Sequence, residues 1–202
     1  YASEQGGLER FDAQGAIDFV GEDATLSTLR QQAPIRFLRP YPEIGDPSTT
    51  VLVNTAGGVV GGDRLAVDPG ARDGAKILVT GQAAEKIYRS DGGVADLSVT
   101  LEARSGAALE FLPQGTILFD GARLRRWTTL RVDADATMLF GEILHFGRSG
   151  MGESFTNGEI HDRLDVERDG ERVWVDAFRV TEDTIRAMRS RSGLEKQKPR
   201  PV

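Results

Sequence analysis

The interpretation of the fold begins with the glycine-rich stretch NTAGGVVGGD at residues 54–63. Two glycine pairs flank two valines, and Arg64 follows directly. Glycines at this density indicate backbone angles that other residues reach only at a cost, or a close approach by another segment. Apolar, strand-like segments lie on either side, at 50–53 and 65–67. The run could therefore hold a phosphate, turn a hairpin, or form part of a protein-binding surface.

A phosphate-binding loop is the least favoured of these three interpretations. A mononucleotide loop ends in Gly-Lys-Ser/Thr and leads into a helix, whereas this run ends Gly62-Asp63-Arg64 and leads into a strand. The dinucleotide fingerprint also needs a helix whose N-terminus faces the pyrophosphate. The carboxylate of Asp63 would repel a phosphate. On local sequence alone, a hairpin turn between two strands is favoured.

The rest of the chain repeats short apolar segments separated by glycine or proline turns. Apolar and polar residues alternate most clearly at 159–166 and 172–180, and Asp169-Gly170 between them predicts a hairpin. Helical periodicity is confined to 183–191. This rhythm predicts an all-β domain built from packed sheets or a barrel-like closure.

Two further glycine signals predict turns. Asp68-Pro69-Gly70 follows the strand after the glycine run, and proline lacks the amide proton that a central strand needs. Asp120-Gly121 lies between apolar segments and predicts a second hairpin.

Charge divides the chain into a single β-rich domain at 1–183 and a basic tail, or displaced C-terminal segment, at 184–202. The net charge is -6, whereas the tail holds six basic residues and one acidic residue, or +5, which leaves -11 on the remainder. An acidic body argues against general nucleic-acid binding. The tail is interpreted as a solvated or partner-docking segment, with a nucleic-acid arm as the less favoured alternative.

The composition of the 202 residues also limits the location and chemistry of the protein. There is no cysteine, which excludes disulfides, thiol nucleophiles and thiolate metal sites. No apolar run is long enough to span a membrane, and residues 1–10 do not resemble a signal peptide. These features predict a soluble, cytoplasmic protein.

Candidate catalytic and metal motifs are weak. The two histidines, His145 and His161, are not spaced as a helical metal pair, and no serine stands in a nucleophile elbow. Glu153, Glu159, His161 and Asp162 could converge as a hard-ligand site only through folding. Oxygen and imidazole ligands would suffice for a weak or transient nickel site.

Several polar residues follow apolar segments closely and could line a shared surface or channel. The alternative is that they are ordinary strand-end residues with local hydrogen-bond partners. They are Asp63, Arg64, Tyr88, Arg89, Ser90, Asp120 and Glu142.

Five motifs in a fixed order resemble the UreD (also called UreH) family of urease accessory proteins. They are NTAGGVVGGDRL, LVTGQAAEKIYRS, GAALEFLPQGTILFDGA, GEILHFGRSGMGE and RDGERVWVDAFRV, and the resemblance runs from about residue 16 to 180. Val59-Val60, Gly81 and Gly115 depart from the usual pattern. The family is expected to continue with further strands, and residues 184–202 do not resemble that continuation.

The resemblance implies an open stack of antiparallel and mixed sheets, sandwich-like or β-helix-like, with few short helices. It implies a non-enzymatic scaffold that works with UreF and the GTPase UreG to deliver nickel into apo-urease. The resemblance leaves open whether the chain forms a homodimer within the accessory complex. No permanent cofactor is implied, since nickel would be in transit through an internal tunnel. The rival interpretation is a stand-alone β-sandwich hydrolase or carbohydrate-binding module.

The resemblance also assigns roles to the polar residues of the matched motifs. Asp63 and Glu142 are predicted to lie on the transient nickel path. Partner or tunnel contacts are predicted for Arg64, Tyr88, Arg89, Ser90 and Asp120.

Overall fold

The structure, a computed structural model, describes residues 10–41 and 47–191. Within those ranges strands are the main secondary structure. The strands are β1 Asp12–Val20, β2 Thr25–Gln31, β3 Ile35–Leu38, β4 Ser48–Asn54, β5 Arg64–Arg72, β6 Lys76–Gly81, β7 Glu85–Ile87, β8 Ala95–Ala103, β9 Ala108–Leu112, β10 Thr116–Leu118, β11 Arg123–Val132, β12 Thr137–Phe140, β13 Leu144–Arg148, β14 Glu153–Ser154, β15 Glu159–Arg168 and β16 Glu171–Val180. A 3-10 turn at Ser149–Met151 and one helix, α1 Glu182–Arg191, complete the described elements.

Three sheets form the architecture. The first has seven strands in the order β16-β15-β11-β8-β5-β1-β2, the second five in the order β12-β9-β6-β4-β3, and the third four in the order β14-β13-β10-β7. From β5 onward the chain visits the three sheets in turn, as β5-β6-β7, then β8-β9-β10, then β11-β12-β13. Strands from successive turns pair in parallel within each sheet. The predicted open stack of mixed sheets is confirmed in its β-helix-like form.

The alternation of side chains explains why these segments form coils around a common interior. In β11, Leu124, Leu130 and Val132 are buried, whereas Arg125 and Arg131 point outward. Because successive side chains of a strand lie on opposite faces, each strand contributes one row to the core. The helical crossovers that most parallel sheets use are replaced by strands of the other two sheets.

The glycine run does not turn a hairpin, so that prediction is wrong. It joins β4 of the five-stranded sheet to β5 of the seven-stranded sheet. Val59 forms a parallel bridge with Ile87, so the run lies alongside β7 instead of folding β4 back on β5. A Cβ at Gly58 would collide with the ring of Tyr88, and one at Gly61 with the backbone of Gly93. Close approach by neighbouring segments explains these two glycines.

The turn predicted at Asp68-Pro69-Gly70 and the hairpin predicted at Asp120-Gly121 are also wrong. Asp68-Pro69-Gly70 lies inside β5, where the ladder to β8 omits positions 68 and 69. The missing amide proton of Pro69 therefore costs no hydrogen bond on that side. Asp120-Gly121 is a turn, with Gly121 at a φ of 82°, but β10 and β11 belong to different sheets and form no hairpin.

The C-terminal predictions fare better. β15 and β16 pair in antiparallel fashion around Asp169-Gly170, and a helix follows, so the predicted hairpin and helix are both confirmed. The helix extends across the proposed boundary at residue 183, whereas residues 192–202 of the basic tail lie outside the described residues. No helix of the described ranges has the length and apolar character needed to cross a membrane.

Candidate functional site

The structure separates the seven predicted site residues into three places. One group surrounds the glycine run and the adjoining β10–β11 turn, Arg64 lies on the outer face of the seven-stranded sheet, and Glu142 faces the interior. Each place has different chemistry.

Asp63 is buried beneath the glycine run, with 2% of its surface exposed. Oδ1 accepts a hydrogen bond from the Phe11 amide at 2.9 Å, and Oδ2 accepts one from the Val60 amide at 2.9 Å. Its carbonyl oxygen accepts from the Asp96 amide at 2.8 Å. The carboxylate therefore ties the segment before β1 to the glycine run. Its predicted contact with nickel stays a prediction, and an ion would have to compete with these two amides.

Tyr88 and Ser90 hold the segments around the same run. The Tyr88 hydroxyl donates to the Gly57 carbonyl at 3.2 Å, and its ring lies 4.8 Å from that of Phe119. Ser90 Oγ donates to the Gly93 carbonyl. Both side chains are partly buried, so the observed contacts give them a role in fixing the loops.

Asp120 and Arg89 form an ion pair beside this region, with 3.3 Å between Arg89 Nη2 and Asp120 Oδ2. Burial disfavours the charge of Asp120, but hydrogen bonds from the Thr156 and Asn157 amides outweigh it and lower the pKa of the carboxyl. The Arg89 side chain is 73% exposed and is available to a partner.

Arg64 is also exposed, and it lies 3.7 Å from Asp12. Both residues line an open cleft of about 320 Å³ on the outer face of the seven-stranded sheet, together with Asp96, Arg125 and Trp127. The outward position fits the predicted partner role of Arg64.

Glu142 lies between β12 and β13 and lines two cavities. One, of about 220 Å³, is partly open and is lined by residues of all three sheets. The other, of about 180 Å³, lies against β15 and β16. Arg126, Thr128 and Phe140 also line both cavities, so the two spaces meet at these four residues.

Arg126, a residue that the motif reading missed, occupies this junction. Its side chain is 5% exposed and forms ion pairs with Glu142 and Asp162. Nε donates to Asp162 Oδ1 at 3.0 Å, and Nη1 lies 3.4 Å from Thr116 Oγ1. We call Arg126, Glu142 and Asp162 the junction triad.

Burial and neighbouring charges act in opposite directions on the junction triad. Burial raises the pKa of Glu142 and the charge of Asp162 adds to the rise, while Arg126 opposes it. Burial disfavours the charge of Arg126, but the hydrogen bond to Asp162 and the two negative charges outweigh it and raise the pKa of the guanidinium. Arg126 therefore stays ionised and places a positive charge at the junction.

A second carboxylate of the larger cavity, Glu85, was also missed. Asn54 Nδ2 donates to its two oxygens at 3.1 and 3.2 Å. Burial raises the pKa of Glu85, and the hydrogen bond from Asn54 opposes the rise. Asp176 contributes a further carboxylate to the smaller cavity.

The alternation of inward and outward side chains along the strands could have revealed the junction triad. Arg126 shares its phase with the apolar Leu124 and Leu130, and Asp162 shares its phase with Ile160 and Leu164. A charged residue in an apolar row indicates a buried, paired group.

The hard-ligand site considered from sequence does not form as a unit: Glu153 pairs with Arg148, and Glu159 pairs with Arg179 at 2.8 Å. Among the described residues, no group of three or more His, Asp or Glu side chains is placed to hold a metal ion.

Comparison with known proteins gives a consistent result. A family model described as "UreD urease accessory protein" matches residues 12–199, so the limits of 16 and 180 expected from the motifs are too narrow. The chain is 42% identical over 158 residues to "Urease accessory protein UreD" of Magnetococcus marinus, which covers 78% of the chain and 55% of that protein. It is 40% identical over 195 residues to the protein of that name from Bradyrhizobium diazoefficiens, which covers 96% of the chain and 68% of the relative. The chain spans about half the length of several of these relatives.

Proposed function

The chain belongs to the UreD family of urease accessory proteins, and from this premise we propose that it helps to deliver nickel into apo-urease, working with UreF and the GTPase UreG. The observation that carries the proposal is the meeting of two partly open cavities at the junction triad. Carboxylates line both cavities: Glu85 and Glu142 line the larger one, and Glu142, Asp162 and Asp176 line the smaller one.

The chemistry of this lining suits an ion in transit. Carboxylate oxygens bind divalent first-row metals without the high affinity that thiolates add. The chain contains no cysteine and two histidines, so oxygen is the main donor that it offers. A path of such groups would let nickel enter and leave, where a closed cage of imidazole and thiolate ligands would retain it.

The chain is an accessory protein and not an enzyme, as the names of its relatives indicate. The rival proposal, a hydrolase or carbohydrate-binding module, needs acids that converge on a substrate. The acids at the junction instead converge on Arg126, which already occupies the space between them. We therefore expect no turnover in the absence of partners.

The exposed residues supply the proposed partner contacts. Arg64 and Arg89 project from the sheet stack on side chains that are 69% and 73% exposed. Arginine is favoured at protein interfaces because its planar group binds carboxylates and packs on aromatic rings. We assign Tyr88, Ser90 and Asp120 the supporting role of fixing the loops behind these contacts.

Nickel delivery can be tested by coexpressing the chain with UreF, UreG and urease. Glu142→Gln keeps the size of the side chain and removes its charge, so we expect the nickel content of urease to fall by about tenfold, the lower end of what losing a metal-site group costs. The matched control is Glu110→Gln, which changes an outward carboxylate on β9. Full nickel loading with Glu142→Gln, in complexes of normal composition, would contradict the proposal.

A further inference from the structure

We propose that Arg126 is a gate between the two cavities, because its guanidinium holds the position between two carboxylates that a divalent cation would need to occupy. The inference rests on the proposed passage of nickel and names the residue that controls it. It follows from the place, the partners and the charge of this one side chain.

The place of Arg126 is the first argument. Thr116 contributes to the larger cavity and Asp162 to the smaller one, and the guanidinium contacts both residues. The group therefore extends across the junction from one cavity to the other. An ion that moves directly from one cavity to the other must pass the guanidinium or displace it.

The charge balance is the second argument. Among the residues that the structure describes, the smaller cavity is lined by one cationic side chain, Arg126, and by three carboxylates, those of Glu142, Asp162 and Asp176. With the arginine in place, a divalent cation at the junction meets a positive charge at close range, and such repulsion is strong where water is excluded. With the arginine displaced, Glu142 and Asp162 offer their oxygens to the ion.

The third argument is that stability gives no reason for an arginine here. A buried ion pair contributes little or no stability beyond that of apolar side chains of similar volume. The inner row of β11 is otherwise apolar or uncharged, with Leu124, Thr128 and Leu130 on either side. Asp176 lies in the lining of the same cavity and gives the displaced guanidinium a second carboxylate to pair with.

The gate can be tested by measuring Ni²⁺ binding to the purified chain, without a polyhistidine tag, by isothermal titration calorimetry. Arg126→Met removes the charge and keeps most of the volume, so we expect Ni²⁺ to bind about tenfold more tightly than in the wild type. Arg126→Lys keeps the charge and should bind like the wild type. The triple variant Arg126→Met, Glu142→Gln, Asp162→Asn should lose the gain.

Two binding results would overturn the gate where Arg126→Met folds. One is Arg126→Met binding Ni²⁺ no more tightly than the wild type, and the other is tighter binding that survives in the triple variant. If Arg126→Met alone does not fold, the triple variant should fold, and added Ni²⁺ should restore the circular dichroism spectrum and cooperative unfolding of the single variant. Failure of Ni²⁺ to restore them would equally overturn the gate.

The binding test of the gate and the loading test of nickel delivery can fail independently. Binding that follows the expected pattern, combined with normal nickel loading of urease by Glu142→Gln, would contradict nickel delivery and leave the control of cation binding by Arg126 intact. Unchanged binding in Arg126→Met, combined with poor loading by Glu142→Gln, would contradict the gate alone.

Discussion

Asp63 beneath the glycine run and Glu142 at the cavity junction are both carboxylates withdrawn from solvent, but they are held in different ways. The oxygens of Asp63 accept hydrogen bonds from two backbone amides. Glu142 is held by the side chains of Arg126 and Thr116 and faces two cavities. Backbone donors move only with the chain itself, whereas a guanidinium on a long side chain can move.

The difference teaches that burial alone does not identify a functional acid. The partners decide whether the charge is committed to the fold or available to a ligand. By this criterion we propose that Asp63 maintains the loop architecture, in place of the nickel contact predicted from the sequence, and that the junction triad is the place where an ion could exchange with a protein cation. The predictions below test that division.

The largest expected effect is the loss of stability in Arg126→Met. Removing one partner of a buried ion pair leaves uncompensated charge, so the free energy of unfolding should fall by about 4 kcal/mol. Neutralising Glu142 and Asp162 in the same chain should recover most of the loss. Urea unfolding measures both changes, and a triple variant as unstable as the single one would show that packing, not charge, is responsible.

Asp63→Ala should destabilise the fold by about 3 kcal/mol, because two buried amides lose their acceptor. The control is Asp12→Ala, whose carboxylate is 72% exposed and should change stability very little. The midpoint of urea unfolding measures both. A stable Asp63→Ala protein would remove the structural role given to this carboxylate.

The two regions should also respond to pH in opposite ways. The pKa of Asp120, beside the glycine run, is lowered, so its contribution to stability is present above its ordinary value of 3.8 and is lost as the pH falls through the lowered value. The pKa of Glu85, in the cavity, is raised, so its contribution is present below 4.5 and is lost as the pH rises through the raised value.

Thermal unfolding between pH 3 and 8 separates these contributions. Asp120→Asn should flatten the acidic side of the stability curve, and Glu85→Gln should flatten the side above pH 4.5. Identical curves for a variant and the wild type would show that the carboxyl concerned is not coupled to folding.

The smallest effect on stability is expected for the exposed arginines. Arg64→Ala and Arg89→Ala should each change the free energy of unfolding by no more than about 0.5 kcal/mol, since exposed ion pairs contribute little. Both should nevertheless weaken the capture of UreF or apo-urease in a pull-down. Unchanged capture by the double variant would place the partner surface elsewhere.

Much of the fold follows from local sequence patterns. Alternation predicts β15 and β16, the Asp169-Gly170 turn predicts their pairing, and periodicity predicts α1, because each depends on neighbours in sequence. The sheet to which a strand belongs depends on distant neighbours. The glycine run and Asp120-Gly121 therefore predicted hairpins where the chain in fact passes between sheets.

The candidate site was predicted in part. Glu142 is the second residue of a recognisable motif, and the sequence led to it directly. Its partners Arg126 and Asp162 are 16 and 20 residues away and meet it only through the parallel stacking of β11 and β15. A motif reading selects residues near glycine turns, so it overlooks a charge in the middle of a strand.

The most direct test of the account compares Asp63→Asn with Glu142→Gln in the full accessory complex, with the nickel content of urease divided by the amount of folded complex. The division of roles predicts a low ratio for Glu142→Gln and a ratio near that of the wild type for Asp63→Asn, even where less of the complex folds. A normal ratio for Glu142→Gln with a low ratio for Asp63→Asn would contradict it.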